Sequence, residues 1–194
     1  MTRMAMDATQ TLSLTLSEVR GIYKTRMVED FPPAELKPLS AIESMLSQGR
    51  YACYGFCAGE GILAYAFFVK LGRWALLDYY AVRRDSRDQG LGSRFLGELI
   101  SGPLQSFDCA LAEVDDPDFA AEPQELAIRN RRKAFYLRNG LWETGVRAST
   151  FGVPFQLLAL PVGERMDGES IRRVYAALYH SVLPDWLYDK QIRI

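Results

Sequence analysis

The residues best suited to chemistry lie in the loop Arg87-Asp88-Gln89-Gly90-Leu91-Gly92, an R-x-x-G-x-G turn. An apolar run ends at Val82 just before this loop, and an amphipathic run begins near Gly92. The pattern is that of a strand, a glycine-bearing loop and a helix. The first N–H groups of a helix lack intrahelical partners and carry partial positive charge, and glycine lets a ligand approach the backbone closely. The loop is therefore predicted to hold an anion such as a phosphate group.

The composition narrows the classes of function. A chain of 194 residues, 48% hydrophobic and 24% charged, is typical of one globular domain with a sizeable core. Its formal net charge of −1 argues against electrostatic binding of nucleic acid as the main activity. One histidine and three cysteines form no metal-ligand pattern, and the cysteines suit a reducing cytoplasm. No apolar run is long enough to span a membrane and no signal peptide is visible, so we expect a soluble cytoplasmic protein.

The elements before the loop are predicted from hydrophobic periodicity and from the glycines and prolines that end helices and strands. Leu12, Leu14 and Leu16 alternate with polar residues and predict a short edge strand. Thr15 and Glu18 form a predicted capping box for a helix that runs to about residue 30, where Phe31-Pro32-Pro33 ends it. A second helix ends at Gly49. Short glycine turns then join three strands of an antiparallel meander, predicted over residues 51–58, 62–70 and 74–82.

The elements after the loop alternate between helix and strand. The helix that opens at the loop covers about residues 92–100, and the strand at 109–114 must then find a parallel neighbour, because a crossover connection precedes it. A further helix, two strands and a C-terminal helix are predicted over residues 125–139, 142–150, 153–160 and 170–183. Beyond Pro184 the segment Trp186-Leu187-Tyr188 is expected to pack back on the protein.

This order of elements and two motifs resemble the GCN5-related N-acetyltransferase (GNAT) family over about residues 12–160. The more specific motif is Ala81-Val82 followed by the loop as far as Arg94. The second is Phe135-Tyr136-Leu137-Arg138-Asn139-Gly140-Leu141, which is similar to the family's F-Y-x-x-x-G-F segment. The resemblance implies an α/β (α+β) fold with a mixed, splayed sheet of about seven strands flanked by helices. Residues 1–160 would form the acetyltransferase core, and residues 161–194 a C-terminal helix and tail packed on the same domain.

The resemblance also implies acetyl-CoA as co-substrate, between the strand that ends at Val82 and the strand near Glu113. Loop N–H groups would hold its pyrophosphate, the N–H near Val82 would polarise the thioester carbonyl, and Arg83, Arg84 and Arg87 would add contacts to phosphates. Many family members have an asparagine seven residues before the motif tyrosine, but Arg129 stands there and Asn130 follows it. The predicted cofactor-binding residues are Val82, Arg87, Gln89, Gly90, Leu91, Gly92, Ser93, Arg94 and Asn130.

Acetyl transfer needs an unprotonated amine, a stabiliser for the carbonyl oxygen and an acid for the departing thiolate. The resemblance assigns the acid to Tyr136. Glu113, at the end of its strand, is the predicted catalytic carboxylate, with Asp78 or a chain of water molecules as alternatives for removing the proton.

Three residues are predicted to bind the acceptor. Glu35 follows the Phe31-Pro32-Pro33 break and could bind an ammonium group, and Phe31 belongs to a segment expected to cover a small pocket. Tyr80 is the third, because Tyr79 and Tyr80 alternate along a strand and only one of them can face the cleft.

The sequence therefore predicts an N-acetyltransferase that moves an acetyl group from acetyl-CoA to the primary amine of a small molecule by direct attack. Two alternatives stay open: a non-catalytic module that binds or senses acyl-CoA, and an acetyltransferase acting on proteins or peptides. The expected partner is a small-molecule amine, with no nucleic acid, membrane or metal. The C-terminal helix and residues 186–188 leave a homodimer open.

Overall fold

The computed structural model of the chain describes residues 9–59 and 61–194 and has a mixed α/β architecture. Of the turn predicted at Gly59-Glu60-Gly61, Glu60 lies outside the described residues, as do the first eight residues of the predicted core. The strands are β1 (Gln10–Ser13), β2 (Tyr51–Ala58), β3 (Gly61–Leu71), β4 (Trp74–Val82), β5 (Cys109–Asp115), β6 (Trp142–Thr150), β7 (Val153–Ala159) and β8 (Ile192–Arg193). The α-helices are α1 (Leu16–Ile22), α2 (Val28–Asp30), α3 (Leu39–Ser47), α4 (Leu91–Ser101), α5 (Pro123–Arg138), α6 (Gly168–Val182) and α7 (Asp185–Gln191).

The strands form one sheet in the order β1-β2-β3-β4-β5-β7-β6-β8. β4 and β5 pair in parallel, from Trp74 opposite Cys109 to Leu77 opposite Ala112. The predicted parallel neighbour of the strand after α4 is thereby confirmed. β7 pairs antiparallel with both β5 and β6, so it lies between them although it follows β6 in the chain.

Cα packing divides the chain into two compact units that share β3, β4 and α4 between them. The first unit comprises the described residues up to Phe68 together with Tyr79–Glu98. Its fully buried large side chains include Met27, Ile42, Phe56, Tyr65, Phe67, Phe68 and Phe95. The second unit comprises Val69–Asp78 and Leu99–Ile194. Its core includes Leu76, Leu104, Leu111, Leu158, Ile171, Tyr175 and Leu178.

Local signals account for the N-terminal helices. Thr15 and Glu18 form the predicted capping box, in which the Thr15 hydroxyl accepts from the Glu18 N–H and the Glu18 carboxylate accepts from the Thr15 N–H. A π-helical turn, Tyr23–Met27, joins α1 to α2, so one continuous helical segment runs from Leu16 to Asp30. Pro32 is extended, with a ψ of 145°, and a short 3₁₀ turn follows it at Pro33–Glu35.

The C-terminal end differs in detail from the prediction. The tail forms helix α7 and then β8, which pairs antiparallel with the end of β6 and makes eight strands where about seven were expected. Tyr188 packs back by stacking on His180, with ring centroids 3.6 Å apart, whereas Trp186 is 68% exposed. Within the described residues, no helix is long and apolar enough to cross a membrane.

Candidate active site

The peptide that follows β4 is fixed at both of its polar groups. The N–H of Arg83 donates to the Leu63 carbonyl at 2.8 Å. The Val82 carbonyl accepts a hydrogen bond from Nε of Arg87 at 3.0 Å. Because a peptide group is planar, these two bonds set the orientation of the chain as it leaves Val82 and enters the loop.

The loop ends as a helix start with N–H groups available to an anion. Asp88 and Gly90 both have a left-handed backbone, with φ of 61° and 76°. Space is open within 4 Å of where a Cβ on Gly90 would lie. The N–H of Arg94 donates to the Gly90 carbonyl at 3.1 Å, the first helical hydrogen bond of α4. The N–H groups of Leu91, Gly92 and Ser93 precede that bond, so the helix start has the properties of an anion site.

Tyr80 ties this helix start to β4. Its hydroxyl donates to the Gly92 carbonyl at 2.6 Å, and its ring stacks on Phe95 with centroids 5.7 Å apart. Phe95 in turn stacks on Phe56, and the Arg94 guanidinium lies 5.6 Å from the centroid of the Phe56 ring. Tyr80 thus supports the loop. Its predicted contact with the acceptor stays a prediction.

The arginines around the loop already bind protein groups. Arg87 donates from Nη2 to the Asp30 carboxylate at 3.0 Å, in addition to its bond to Val82. Arg94 donates from Nη2 to the Thr9 hydroxyl at 2.6 Å. A guanidinium has five N–H donors, so both side chains keep donors beyond these contacts. Gln89 is exposed, and its side-chain amide donates to the Asp85 carbonyl at 3.2 Å.

Asp30 is the buried counter-ion of this region, with a side chain 6% exposed. Its Oδ2 accepts from the Tyr65 hydroxyl at 3.0 Å, and the Arg26 guanidinium lies 4.8 Å from the centroid of the Tyr65 ring. Burial, and then the charge of Asp30, raise the pKa of Tyr65, so its hydroxyl stays protonated. Burial also lowers the pKa of Arg26 from its usual value.

Replacing Asp30 with asparagine should therefore destabilise the protein. We expect the free energy of unfolding to fall by about 1.5–3 kcal/mol, because the hydrogen bonds from Arg87 and Tyr65 lose the ionised acceptor that the buried Asp30 side chain provides. Urea denaturation measures this loss. Asp88→Asn is the matched control, since Asp88 is exposed and asparagine tolerates its left-handed backbone. Equal stabilities of the two variants would contradict the assignment of Asp30.

Tyr79 fixes the segment that holds two predicted acceptor residues. Its hydroxyl donates to the Glu35 carbonyl at 2.9 Å and accepts from the Lys37 N–H at 2.8 Å. Its ring packs edge-on against Phe31 with centroids 5.0 Å apart. Tyr79 and Tyr80 therefore contact different elements, as strand alternation predicts. The Phe31 side chain is half-buried and that of Glu35 is exposed.

The remaining predicted residues belong to the second unit. Glu113 follows Ala112, the last residue of β5 that pairs with β4, just as Asp78 follows Leu77 on β4. Oε1 of Glu113 accepts hydrogen bonds from the hydroxyls of Tyr175, of Tyr179 at 2.7 Å and of Thr150 at 3.1 Å. None of these three partners was predicted from the sequence. The available signal was the i, i+4 spacing of the two tyrosines on the apolar face of a predicted helix.

Tyr136 lies on α5 and is 8% exposed. Burial raises its pKa to about 12, with Arg132 opposing and Asp115 adding to the shift. Its ring packs edge-on against that of Phe135, at 5.2 Å between centroids. At neutral pH the hydroxyl is protonated, which is the state that a general acid requires.

Arg129, which stands where many family members have an asparagine, has a structural role in this protein. Arg129 donates to the Asp116 carbonyl and to the Glu125 carboxylate, at 2.6 Å each, and so joins α5 to the turn that follows β5. Asn130 is exposed. Its predicted contact with the cofactor stays a prediction.

Comparison with known proteins identifies the fold. No family model matches the sequence, and no curated protein was found to match it. Solved structures do match. A protein from Bacteroides thetaiotaomicron, described as an acetyltransferase of the GNAT family, is 20% identical with a TM-score of 0.69, over 89% of this chain and 97% of its own. The Escherichia coli ribosomal-protein-S18-alanine N-acetyltransferase is 20% identical with a TM-score of 0.60, over 82% and 97%.

A third match carries a ligand. The GNAT-family acetyltransferase from Elizabethkingia anophelis, solved with acetyl-CoA bound, is 11% identical with a TM-score of 0.52, over 79% of this chain and 98% of its own. The chain is thus a mixed α/β protein built on a sheet with a parallel β4–β5 pair. More specifically, it has the fold of the GNAT acetyltransferases, which confirms the resemblance predicted from the two motifs.

Proposed function

We propose that this protein is an acetyl-CoA-dependent N-acetyltransferase that acts on a primary amine of a small molecule. The observation that carries the proposal is the helix start at Leu91, where a glycine loop presents three successive N–H groups in the setting of a GNAT fold. Similar structures solved with acetyl-CoA and with CoA support this choice of co-substrate.

The loop has the donors that a pyrophosphate needs. The N–H groups of Leu91, Gly92 and Ser93 would bind the phosphate oxygens, and the remaining donors of Arg87 and Arg94 would add charge-assisted hydrogen bonds. When bound, acetyl-CoA supplies an acetyl thioester. The N–H of Val82 is proposed to donate to its carbonyl oxygen, from a strand end held by Arg87 and Leu63.

Two side chains are proposed to act at the two ends of the reaction. Direct transfer forms an N–C bond and breaks the C–S bond, so the nitrogen must lose a proton and the sulfur must gain one. Tyr136 would donate its hydroxyl proton to the leaving sulfur and recover a proton from solvent. Glu113 is proposed to act at the amine end, and Phe31, Glu35 and Tyr80 to line the acceptor side.

Calorimetric titration of the protein with acetyl-CoA tests the proposal directly. We expect binding, and we expect acetyl-pantetheine to bind far more weakly, because it offers the thioester without the pyrophosphate that the loop would hold. Absence of binding at about 1 mM acetyl-CoA, which corresponds to about −4 kcal/mol, would refute the proposal. Equal affinities for the two thioesters would show that the loop does not bind the pyrophosphate.

Release of CoA thiol in the presence of an amine panel tests catalysis. We expect release to depend on a small primary amine such as an amino acid or a polyamine. Binding without release under any amine would favour a non-catalytic acyl-CoA-binding module.

The second candidate is an acetyltransferase of protein N-termini, favoured by the likeness to the ribosomal-protein-S18-alanine N-acetyltransferase. Peptides with free N-termini, added to the same panel, discriminate this candidate. Release with peptides and none with small amines would establish it in place of the first.

A further inference from the structure

The C-terminal helix α6 contributes two hydroxyl groups to one carboxylate oxygen. Tyr175 is fully buried and Tyr179 is 4% exposed. They are four residues apart and so share one face of the helix, where their rings pack edge-on at 5.0 Å between centroids. Both hydroxyls donate to Oε1 of Glu113.

Strand β6 completes the arrangement with Thr150. Its hydroxyl lies 3.1 Å from Oε1 of Glu113 and 2.6 Å from the hydroxyl of Tyr175. Three hydroxyls from two elements therefore converge on a single oxygen, which fixes the position of the carboxylate on β5. A charged group on a third element, Asp78 of β4, contributes to the raised pKa of Tyr179.

The network favours particular protonation states as well as fixing positions. Hydrogen bonds donated to a carboxylate favour its ionised form. Burial first, and the negative charge of Glu113 second, raise the pKa of both Tyr175 and Tyr179. The tyrosines therefore remain neutral donors, and their hydrogen bonds favour the ionised form of Glu113.

Attachment of α6 to the sheet does not by itself require such a network. Ile171, Val174 and Leu178 already bury the apolar face of this helix. A carboxylate within this network costs desolvation energy that an apolar residue would not, so packing alone does not account for Glu113, whereas a use for its negative charge does.

We infer that Tyr175 and Tyr179 are positioning residues, which hold the Glu113 carboxylate so that it pairs with the protonated nitrogen of the acceptor amine. The inference rests on the proposed function and assigns the acceptor to the class of amines that arrive as ammonium ions. In this role Glu113 recruits the ammonium group, and the proton lost before attack passes to solvent water. A carboxylate that accepts hydrogen bonds from two tyrosine hydroxyls is suited to this task, because those bonds make it a poorer base.

Steady-state kinetics of Tyr179→Phe and Tyr175→Phe test the inference, with the best amine of the panel as acceptor. We expect the KM for the amine to rise about tenfold, because each substitution removes a hydrogen bond to a charged group. The KM for acetyl-CoA should not change. The acidic limb of the kcat/KM profile for the amine should move to higher pH, because losing a donor disfavours the carboxylate form of Glu113.

Two further variants make the result decisive. Thr150→Val should shift the acidic limb in the same direction by a smaller amount, since its contact is the longest of the three. Tyr188→Phe, which changes a half-buried tyrosine stacked on His180, should leave both KM values and the pH profile unchanged.

The wild-type protein separates failure of this inference from failure of the proposed function. If wild type releases thiol with an amine, and the Tyr→Phe variants keep its amine KM and its pH limb, the tyrosines are structural and the inference is overturned. If wild type neither binds acetyl-CoA nor releases thiol, the proposed function fails and this inference fails with it.

Discussion

Tyr136→Phe should lower kcat by about 100-fold or more, while the Kd for CoA stays nearly unchanged. The substitution removes only the hydroxyl that we propose as proton donor to the leaving sulfur, and it keeps the buried ring. With a pKa of about 12, raised mainly by burial, this hydroxyl is fully protonated at neutral pH. Its ionisation should therefore add no basic limb to the kcat profile between about pH 7 and pH 9.

Pre-steady-state or steady-state turnover, together with calorimetric titration of CoA, measures both parts of this prediction. Tyr54→Phe is a matched control, because Tyr54 is half-buried on β2 and burial also raises its pKa, yet it belongs to no proposed site. We expect Tyr54→Phe to keep its turnover. An unchanged kcat for Tyr136→Phe would show that the Tyr136 hydroxyl is not the proton donor.

Gly163→Ala should destabilise the protein by about 2–5 kcal/mol, through strain and collision together. Gly163 has φ of 62°, and a Cβ there would lie 2.0 Å from the carbonyl oxygen of Asp108. That backbone cannot shift easily, because the Asp108 N–H donates to the Arg73 carbonyl at 2.8 Å. The Asp108 carboxylate also accepts two hydrogen bonds from Arg73, at 2.7 and 2.5 Å.

The variant Gly152→Ala measures the cost of backbone strain without the steric collision that Gly163→Ala adds. Gly152 has φ of 81° in the turn between β6 and β7, but nothing lies within 4 Å of where its Cβ would be. We expect a loss of about 1–2 kcal/mol, the cost of a left-handed backbone alone. Thermal and urea denaturation of both variants measure the difference, and equal losses would show that the contact with Asp108 relaxes at no cost.

Local patterns predicted most of the elements because their causes are local. The strands at 51–58, 74–82 and 142–150 have the predicted bounds, since alternation and flanking turns mark both ends. The capping box at Thr15 and Glu18 is a contact between residues three positions apart. The tail was the main departure, because β8 has two residues and is defined by its pairing with β6 rather than by its own composition.

Only the backbone of the candidate site could be predicted from the sequence. The R-x-x-G-x-G loop carries its signal in consecutive residues, and the structure has the predicted strand, turn and helix there. The side-chain partners come from far along the chain. Arg87 contacts Asp30, 57 positions away, and Tyr179 contacts Glu113, 66 positions away. Hydrophobic periodicity cannot predict such pairs, because these contacts depend on how the elements pack against one another.

The pairing of β8 has a consequence for the dynamics of the C-terminal helices. β7 and β8 both hydrogen-bond to β6, so the chain between them, α6 and α7, is a loop tethered at both ends to one strand. Closing that loop removes conformational freedom from the segment before α6 packs. Local opening of α6 therefore requires its apolar face to separate while both tethers remain, which suppresses fraying of the helix. The two-residue strand β8 in this way limits the movement of the Tyr175 and Tyr179 hydroxyls, which donate to Glu113.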